Sequence, residues 1–473
     1  MIDGAWCQSS GGGTLDVMDP STGEVFATIA RGQASDVDDA VAAARATFKA
    51  GWGDSDPVER GRILSRLGTL IERNAERLWR LEARDTGKPL AQAKADIAAC
   101  ARYFEFYGGA IDKHLGQTLP YKPGFTVLTV HEPYGVTGHI IPWNYPAQVF
   151  GRTIGGGLAT GNCCVLKPAE DACQVPLALA ELALEAGLRP GVLNVVTGLG
   201  DEAGAALASH PGIDHISFTG SPATGSLVQA ASANFNRPVT MELGGKSPQI
   251  VFDDADLDEA LPFLTAAIVQ NAGQTCSAGS RLLVQDGVAG ALLEKLADRF
   301  GRLVTGPSAM DPDCGPLINA QQKQRVDGFL AQAKRDGLPV LARGQLADDL
   351  PEGGHYVPPT LIDLVPPDHP LAQEEVFGPV LSVLRFADEQ EAIELANATP
   401  FGLVAGVWTQ DGGRQMRVAR MVRAGQVFVN NYGAGGGVEL PFGGVGRSGF
   451  GREKGLAALD HFSTLKTIAI KHG

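Results

Sequence analysis

From residue 125 onward the chain alternates between short apolar runs and Ala- and Leu-rich stretches, and this alternation restricts the fold more than any other feature. Strand-like segments are 125–132, 136–141, 162–167, 192–197, 215–219, 239–243 and 248–252, and helical stretches follow several of them, most clearly at 176–187. Strand, helix, strand at this repeat length requires crossover connections, which are right-handed and build a parallel, doubly wound sheet. Around residue 245 the character changes, and a second α/β unit is expected over about 245–446. Residues 461–471 (His-Phe-Ser-Thr-Leu-Lys-Thr-Ile-Ala-Ile-Lys) alternate as a terminal strand. With 115–132 they form a candidate oligomerisation sheet.

The first hundred residues read differently. Residues 1–30 predict short strands with a turn at Pro20-Ser-Thr-Gly23. Ser35 is expected to cap a helix whose apolar face is Val37, Ala40, Val41, Ala44 and Phe48. Asp56 as N-cap and Pro57 at the first helical position open one long helical region, which runs through Leu67, Ile71, Leu78 and Leu81 and stops at Thr86-Gly87-Lys88-Pro89. A further helix, about 91–114, carries Tyr103, Phe104, Phe106 and Tyr107, most simply as core packing.

With 473 residues the chain suits two or three domains. A net charge of −14 argues against a nucleic-acid or anionic-membrane partner. Seven cysteines, odd in number and irregular in spacing, argue for a reducing compartment, hence a cytoplasmic protein, and against a disulfide scaffold. No metal-ligand spacing of Cys or His appears. The start, Met-Ile-Asp-Gly-Ala-Trp, has neither a basic nor an apolar targeting region, and no apolar run approaches the roughly 20 residues that span a bilayer.

Two residues together suggest a reaction. Cys276 sits in Gln-Thr-Cys-Ser-Ala-Gly-Ser-Arg, and Glu242 ends an apolar strand in Met-Glu-Leu-Gly-Gly-Lys-Ser-Pro. A thiol in a small, Gly-flanked loop and a carboxylate at a strand end are the parts of covalent catalysis with an assisting base. Taken singly, an internal Cys is more often a small buried hydrophobe.

Other segments add possibilities of the same kind. His215-Ile-Ser-Phe-Thr-Gly220-Ser-Pro-Ala-Thr-Gly225 reads as strand, glycine turn and helix start, a geometry that aims N–H groups at a pyrophosphate or serves only helix packing. Its spacing, Gly-x4-Gly, is not the usual Gly-x-Gly-x-x-Gly. Lys167-Pro168-Ala169-Glu170 closes a strand where nucleotides bind in such sheets, and a carboxylate there accepts ribose hydroxyls and repels a 2′-phosphate. A solvated surface pair is the alternative. In Pro142-Trp143-Asn144-Tyr145-Pro146 the Asn144 amide is a donor for an oxyanion or simply a turn residue. Glu374-Glu375-Val376-Phe377-Gly378-Pro379 and Leu440-Pro441-Phe442-Gly443-Gly444 complete the set.

In this order and spacing, over essentially the whole chain, the segments resemble the NAD(P)-dependent aldehyde dehydrogenase superfamily, of the hydrolytic type. The resemblance implies an α/β fold with a doubly wound cofactor domain (1–114 and 133–244, with 447–460 returning to it), a catalytic domain (245–446) and oligomerisation strands (115–132 and 461–473). It implies Cys276 as nucleophile, Glu242 as general base, and Asn144 with the Cys276 N–H as oxyanion hole. Cofactor contacts are expected from Ile141, Trp143, Lys167, Glu170, Phe218, Gly220, Ser221, Gly225, Leu243, Gln322, Glu375 and Phe377. The expected cofactor is NAD, with NADP less favoured, and the expected assembly is a homodimer or homotetramer. Glu242 favours hydrolysis of a thioester over its transfer to coenzyme A. A catalytically silent structural relative is the non-enzyme alternative.

Substrate residues are sought in Val149, Arg152, Phe442 and Glu439. Arg152 falls where similar enzymes for carboxylate- or hydroxyl-bearing aldehydes also carry Arg, which suggests a semialdehyde or hydroxyaldehyde. Gln270 stands where such enzymes often have a second Arg. Glu439 is a candidate partner for Arg152, or a sign of an amino-aldehyde; an aromatic aldehyde is the further alternative. The segment Gly433–Glu439 lacks bulky aromatics and suggests an open entrance. Thr153 replaces a Lys that many relatives pair with the glutamate matching Glu453, which argues against a relay through Glu453 here.

Overall fold

The structure, a computed structural model, describes residues 1–433 and 437–472. Its first sheet has six strands in the order Gly449–Phe450, Val239–Glu242, His215–Thr219, Val136–Ile141, Cys163–Pro168 and Leu193–Val195. All pair in parallel except Gly449–Phe450, which lies antiparallel to Val239–Glu242. Val136–Ile141 and Cys163–Pro168 are buried along their whole length, as expected of strands covered on both faces. The chain leaves Val136–Ile141 in one direction and later returns on its other side at His215–Thr219. The switch point lies between these two strands, and ligands enter such sheets at the carboxyl ends there.

The second sheet has seven strands, in the order Val340–Arg343, Thr360–Ile362, Val380–Phe386, Arg281–Gln285, Pro248–Val251, Val404–Trp408 and Gln426–Val429. It has its own apolar core, including Leu282, Leu283, Val383 and Val407. The first core is built from Val136, Leu166, Phe150, Tyr103, Phe104 and Tyr107 among others. A third sheet joins Thr118–Leu119, Phe125–Pro133 and Ser463–Lys471, with Ser463 opposite Pro133 and Lys471 opposite Phe125. Among the described residues no helix is long and apolar enough to cross a membrane.

Two helix boundaries differ from the expectation. The first helix is Ala34–Thr47, with Gln33 rather than Ser35 at its cap, because Asp36 accepts from the Gln33 N–H (2.8 Å) and fixes the turn two residues earlier. The long region is two helices, Pro57–Arg73 and Ala75–Thr86, which meet at Asn74. There Asn74 Nδ2 donates to the Leu70 carbonyl (2.9 Å), a local side-chain bond that competes with helix continuation. The Asp56 cap is as expected, its carboxylate accepting from Val58 N–H (2.9 Å).

Candidate active site

A cavity of about 910 Å³ opens where the two large sheets face each other. Its wall includes Trp143, Asn144, Val149 and Arg152 from one side, Thr219 to Ala223 and Glu242 to Gly244 from strand ends, and Cys276, Glu375 and Phe377 from the other unit. Asn144, Thr219 and Glu242 all stand at or just beyond carboxyl ends of parallel strands. The doubly wound sheet thus delivers them to one place from distant parts of the chain.

The Glu-Leu-Gly-Gly pattern has a steric reason. A Cβ on Gly245 would stand 2.3 Å from the Cys276 carbonyl oxygen, and one on Gly244 would stand 2.3 Å from Glu375 Oε2. Only glycine lets the strand carrying Glu242 pass this close to the Cys276 loop. Gly245 N–H also donates to Glu375 Oε1 (2.9 Å), and burial pushes the Glu375 carboxyl up to about 7.

The loop before Cys276 is held under strain. Asn271, Ala272 and Gly273 all adopt positive φ (49°, 52° and 72°), and two of them carry side chains that disfavour it. Hydrogen bonds over-determine this path. Asn271 Nδ2 donates to the Asn144 carbonyl (2.9 Å), Asn144 Nδ2 to the Gln274 carbonyl (2.9 Å), and Asn271 N–H to Gln92 Oε1 (2.9 Å). Asn144 is therefore locked beside the loop with one amide hydrogen bound; its second remains a donor. Beneath it, Lys88 Nζ reaches Glu82 (2.9 Å), Asp96 (2.5 Å) and the Asn144 carbonyl (3.0 Å), with all three side chains essentially buried. Sequence reasoning took Lys88 only as part of a helix stop.

Cys276 packs with Leu403, Val404 and Phe442, and its surroundings push the thiol up to about 12, burial first, opposed by Arg152. Glu242 lies well above the carboxylate range, again through burial, reinforced by Glu453 and opposed by Arg152, Arg452 and Lys454. Neither Glu242 oxygen accepts a hydrogen bond among the described residues.

The remaining expected residues fall into two groups. Trp143, Gly220, Ser221, Leu243, Gln322, Glu375 and Phe377 line the cavity with Val149, Gln270 and Phe442. Ser221 caps the Pro222–Ala233 helix, accepting from Thr224 N–H (3.2 Å), and Phe377, at φ 59°, meets Trp143 edge-on at 5.4 Å. Gln322 Nε2 donates to the Phe377 carbonyl (2.7 Å), and Gln270 Nε2 to Tyr145 (2.7 Å). Ile141 and Phe218 are buried strand residues just behind the wall. Gly225 packs on Leu243, where a Cβ would come within 2.6 Å. Lys167 and Glu170 pair with each other at 2.6 Å at the end of their strand. These residues fit a dinucleotide: a capped helix N-terminus for phosphate, a cation and carboxylate at the adjacent strand end, and an aromatic pair beside the nucleophile.

Of the charged residues sought for the substrate, Arg152 lines the cavity and Glu439 does not, and the expected pairing of the two is corrected. Glu439 is half-exposed and pairs with Arg102 (2.6 Å), away from the cavity wall. Arg152 instead pairs with Glu453, its Nε 2.5 Å from Oε2, and donates to Thr219 Oγ1 (3.0 Å). Part of the glycine segment taken as an open entrance, 434–436, lies outside the described residues.

A sequence model of the aldehyde dehydrogenase family matches residues 6–468. The chain is 42% identical over 472 residues to aldehyde dehydrogenase family 2 member B4, mitochondrial, of Arabidopsis thaliana, covering 99% of this chain and 87% of that one. An assigned aldehyde dehydrogenase from Burkholderia cenocepacia superposes with a TM-score of 0.99 at 64% identity, covering 100% and 99% of the two chains. The NAD+ complex of an aldehyde dehydrogenase from Bacillus cereus superposes with a TM-score of 0.97 at 40% identity, covering 100% and 96%. With the Cys276 loop and the Glu242 strand end meeting in one cavity, the chain belongs to the aldehyde dehydrogenase family, oxidoreductases that oxidise aldehydes with NAD(P).

Proposed function

We propose that the protein oxidises its aldehyde hydrolytically, through a thioester on Cys276 released with Glu242 as base. The observation that supports this reading is the close approach of Gly245 to the Cys276 carbonyl, with Glu242 and Cys276 lining one cavity. Cys276 gives up its proton to solvent by way of Glu242, its Sγ attacks the aldehyde carbon, and the second Asn144 amide hydrogen receives the developing oxyanion. When bound, NAD supplies the acceptor for the hydride that the tetrahedral carbon loses as the thioester forms. Glu242 then takes a proton from water, the hydroxyl adds to the thioester carbon, and the acid leaves as Cys276 regains its thiol. A carboxyl group with burial-raised proton affinity and unoccupied oxygens suits this last step.

Glu170, paired with Lys167 at the strand end, supports NAD over NADP. Val149, Phe442 and Tyr103 line the cavity, and the Arg152 charge is met by Glu453. We read the pocket as one for an aldehyde with an uncharged apolar or aromatic tail, rather than a semialdehyde acid. The terminal sheet exposes Leu465, Ile468 and Ile470, which supports pairing with another subunit. Cysteine usage supports a reducing cytoplasm.

The test is Glu242→Gln. It is expected to give a burst of about one reduced nicotinamide per site and then slow turnover, with acyl-Cys276 trapped in mass spectrometry. Slow turnover without burst or acyl-enzyme overturns the role. An aldehyde panel ranked by kcat/KM with NAD and NADP tests the substrate and cofactor readings.

A further inference from the structure

Arg152 enters the cavity wall from the Pro146–Ala159 helix with its side chain nearly buried. Its contact with Glu453 Oε2 is a charge contact rather than an aligned hydrogen bond. The other oxygen, Oε1, accepts from Ser217 Oγ (2.7 Å), and Ser217 Oγ accepts from Thr153 Oγ1 (2.9 Å). Thr153 Oγ1 meets His139 Nδ1 at 2.6 Å, and His139 Nε2 meets Thr137 Oγ1 at 2.8 Å. A hydroxyl has one proton to give. Ser217 gives its proton to Glu453 and Thr153 gives its proton to Ser217, so the hydrogen on the next link belongs to His139 Nδ1. Nε2 is then the acceptor for Thr137. Burial pushes His139 down to about 3, which fits this neutral tautomer. The donors of His139 Nδ1, Thr153 and Ser217 therefore point in one direction, toward Glu453. Its one oxygen has a hydroxyl and its other a guanidinium, the partners that suit a carboxylate anion.

That carboxylate belongs to the segment packed beside Glu242: the Phe442 and Glu453 backbones bridge each other, and a Cβ on the adjoining Gly443 would stand 2.8 Å from Glu242 Oε1. The charged groups around Glu242 are Glu453, Arg452 and Lys454 from the C-terminal segment and Arg152 from the helix, with the Cys276 thiol across the cavity. Two like charges in a buried site cannot both be ionised cheaply, so something must offset one of them.

We propose that Arg152 is a positioning residue for the base: by pairing Glu453 it offsets the like charge beside Glu242 and leaves Glu242 able to act as a carboxylate. The inference rests on the hydrolytic reading above. It assigns Arg152 to release of the product and not to binding of a substrate carboxylate, because its fork is occupied by Glu453 and Thr219.

The experiment follows decay of the acyl-enzyme formed from p-nitrophenyl acetate, against pH, in wild type, Glu453→Gln, Arg152→Lys and Arg152→Leu. The rate rises with pH as Glu242 ionises. Removing the Glu453 charge moves this limb to lower pH, and removing the Arg152 charge moves it to higher pH. Each displacement is expected to be about one pH unit, roughly tenfold in rate below the limb. Arg152→Lys stays near wild type, and KM values for propanal and succinate semialdehyde move together in every variant. A merely structural pair displaces no limb. A stationary limb in Glu453→Gln, displacement of both limbs in one direction, or a rise in KM for succinate semialdehyde alone in Arg152→Leu overturns the proposal. If Arg152→Leu does not fold, Glu453→Gln and Arg152→Lys decide. Failure of Glu242→Gln to accumulate acyl-enzyme overturns the hydrolytic reading itself; accumulation there with a stationary Glu453→Gln limb overturns only the role of Arg152.

Discussion

Lys88 Nζ donates to the backbone carbonyl of Asn144 at 3.0 Å, tying the loop that carries the amide donor to a buried ionic cluster. Glu82 and Asp96 satisfy the same ammonium group, and burial pushes Glu82 up to about 7 even with that cation beside it. Lys88→Met leaves two buried carboxylates without their counterion. It is expected to cost about 3–5 kcal/mol of stability, read by denaturant or thermal unfolding. It should also lower kcat in whatever folded fraction remains. A variant as stable and as active as wild type shows that the cluster is dispensable.

The Cys276 thiol, pushed up to about 12, is mostly protonated at neutral pH in the free enzyme. Its alkylation by iodoacetamide is therefore expected to quicken about tenfold per pH unit between pH 6 and 9, without a plateau, since the thiolate is the reacting form. Cys276→Ala abolishes both alkylation at this site and aldehyde oxidation, while NAD binding persists. A plateau below pH 8 points to a thiolate already stabilised in the free enzyme.

Gly245→Ala tests the steric argument. The added methyl would stand 2.3 Å from the Cys276 carbonyl oxygen, so the nucleophile loop has to shift. A displacement on the order of 1 Å costs about a hundredfold in rate. The expected loss is in kcat, with a smaller change in the NAD dissociation constant measured by fluorescence. Retention of wild-type kcat shows that the loop has slack.

Glu170→Ser is expected to narrow or reverse the preference for NAD, measured as the ratio of kcat/KM with the two cofactors. The carboxylate repels a 2′-phosphate, and like charges in a binding site cost several kcal/mol. An unchanged ratio means that Glu170 stays with Lys167 and does not meet the ribose.

Strands and helices of the first sheet were legible because burial on both faces leaves unbroken apolar runs; the expected 136–141 and 215–219 coincide with Val136–Ile141 and His215–Thr219. Asn74 escaped because a polar residue inside a helical pattern ordinarily points to solvent, whereas here it bonds back to Leu70. The segments bearing Cys276, Glu242 and Asn144 were ambiguous singly and stood out through their joint resemblance to a family; the fold brings all three to one cavity. Partners were not legible. Glu439 was the carboxylate offered for Arg152, since sequence does not say which carboxylate is buried: Glu453 is fully buried, while Glu439 is half in solvent. The hydroxyls of Thr153 and Ser217, on different elements, gave no sign of their alignment until the fold joined them. Thr153, standing where many relatives have Lys, reaches Glu453 through Ser217.

The antiparallel Gly449–Phe450 strand has a consequence for synthesis. Gly449 pairs with Glu242, Leu243 N–H donates to the Ser448 carbonyl, and the backbones of Phe442 and Glu453 bridge each other beside Cys276. A ribosome thus completes the Cys276 loop and the Glu242 strand well before it makes the segment that joins them. A chain interrupted before residue 453 lacks the Phe442–Glu453 bridge, so the pocket is completed only once translation has passed that segment.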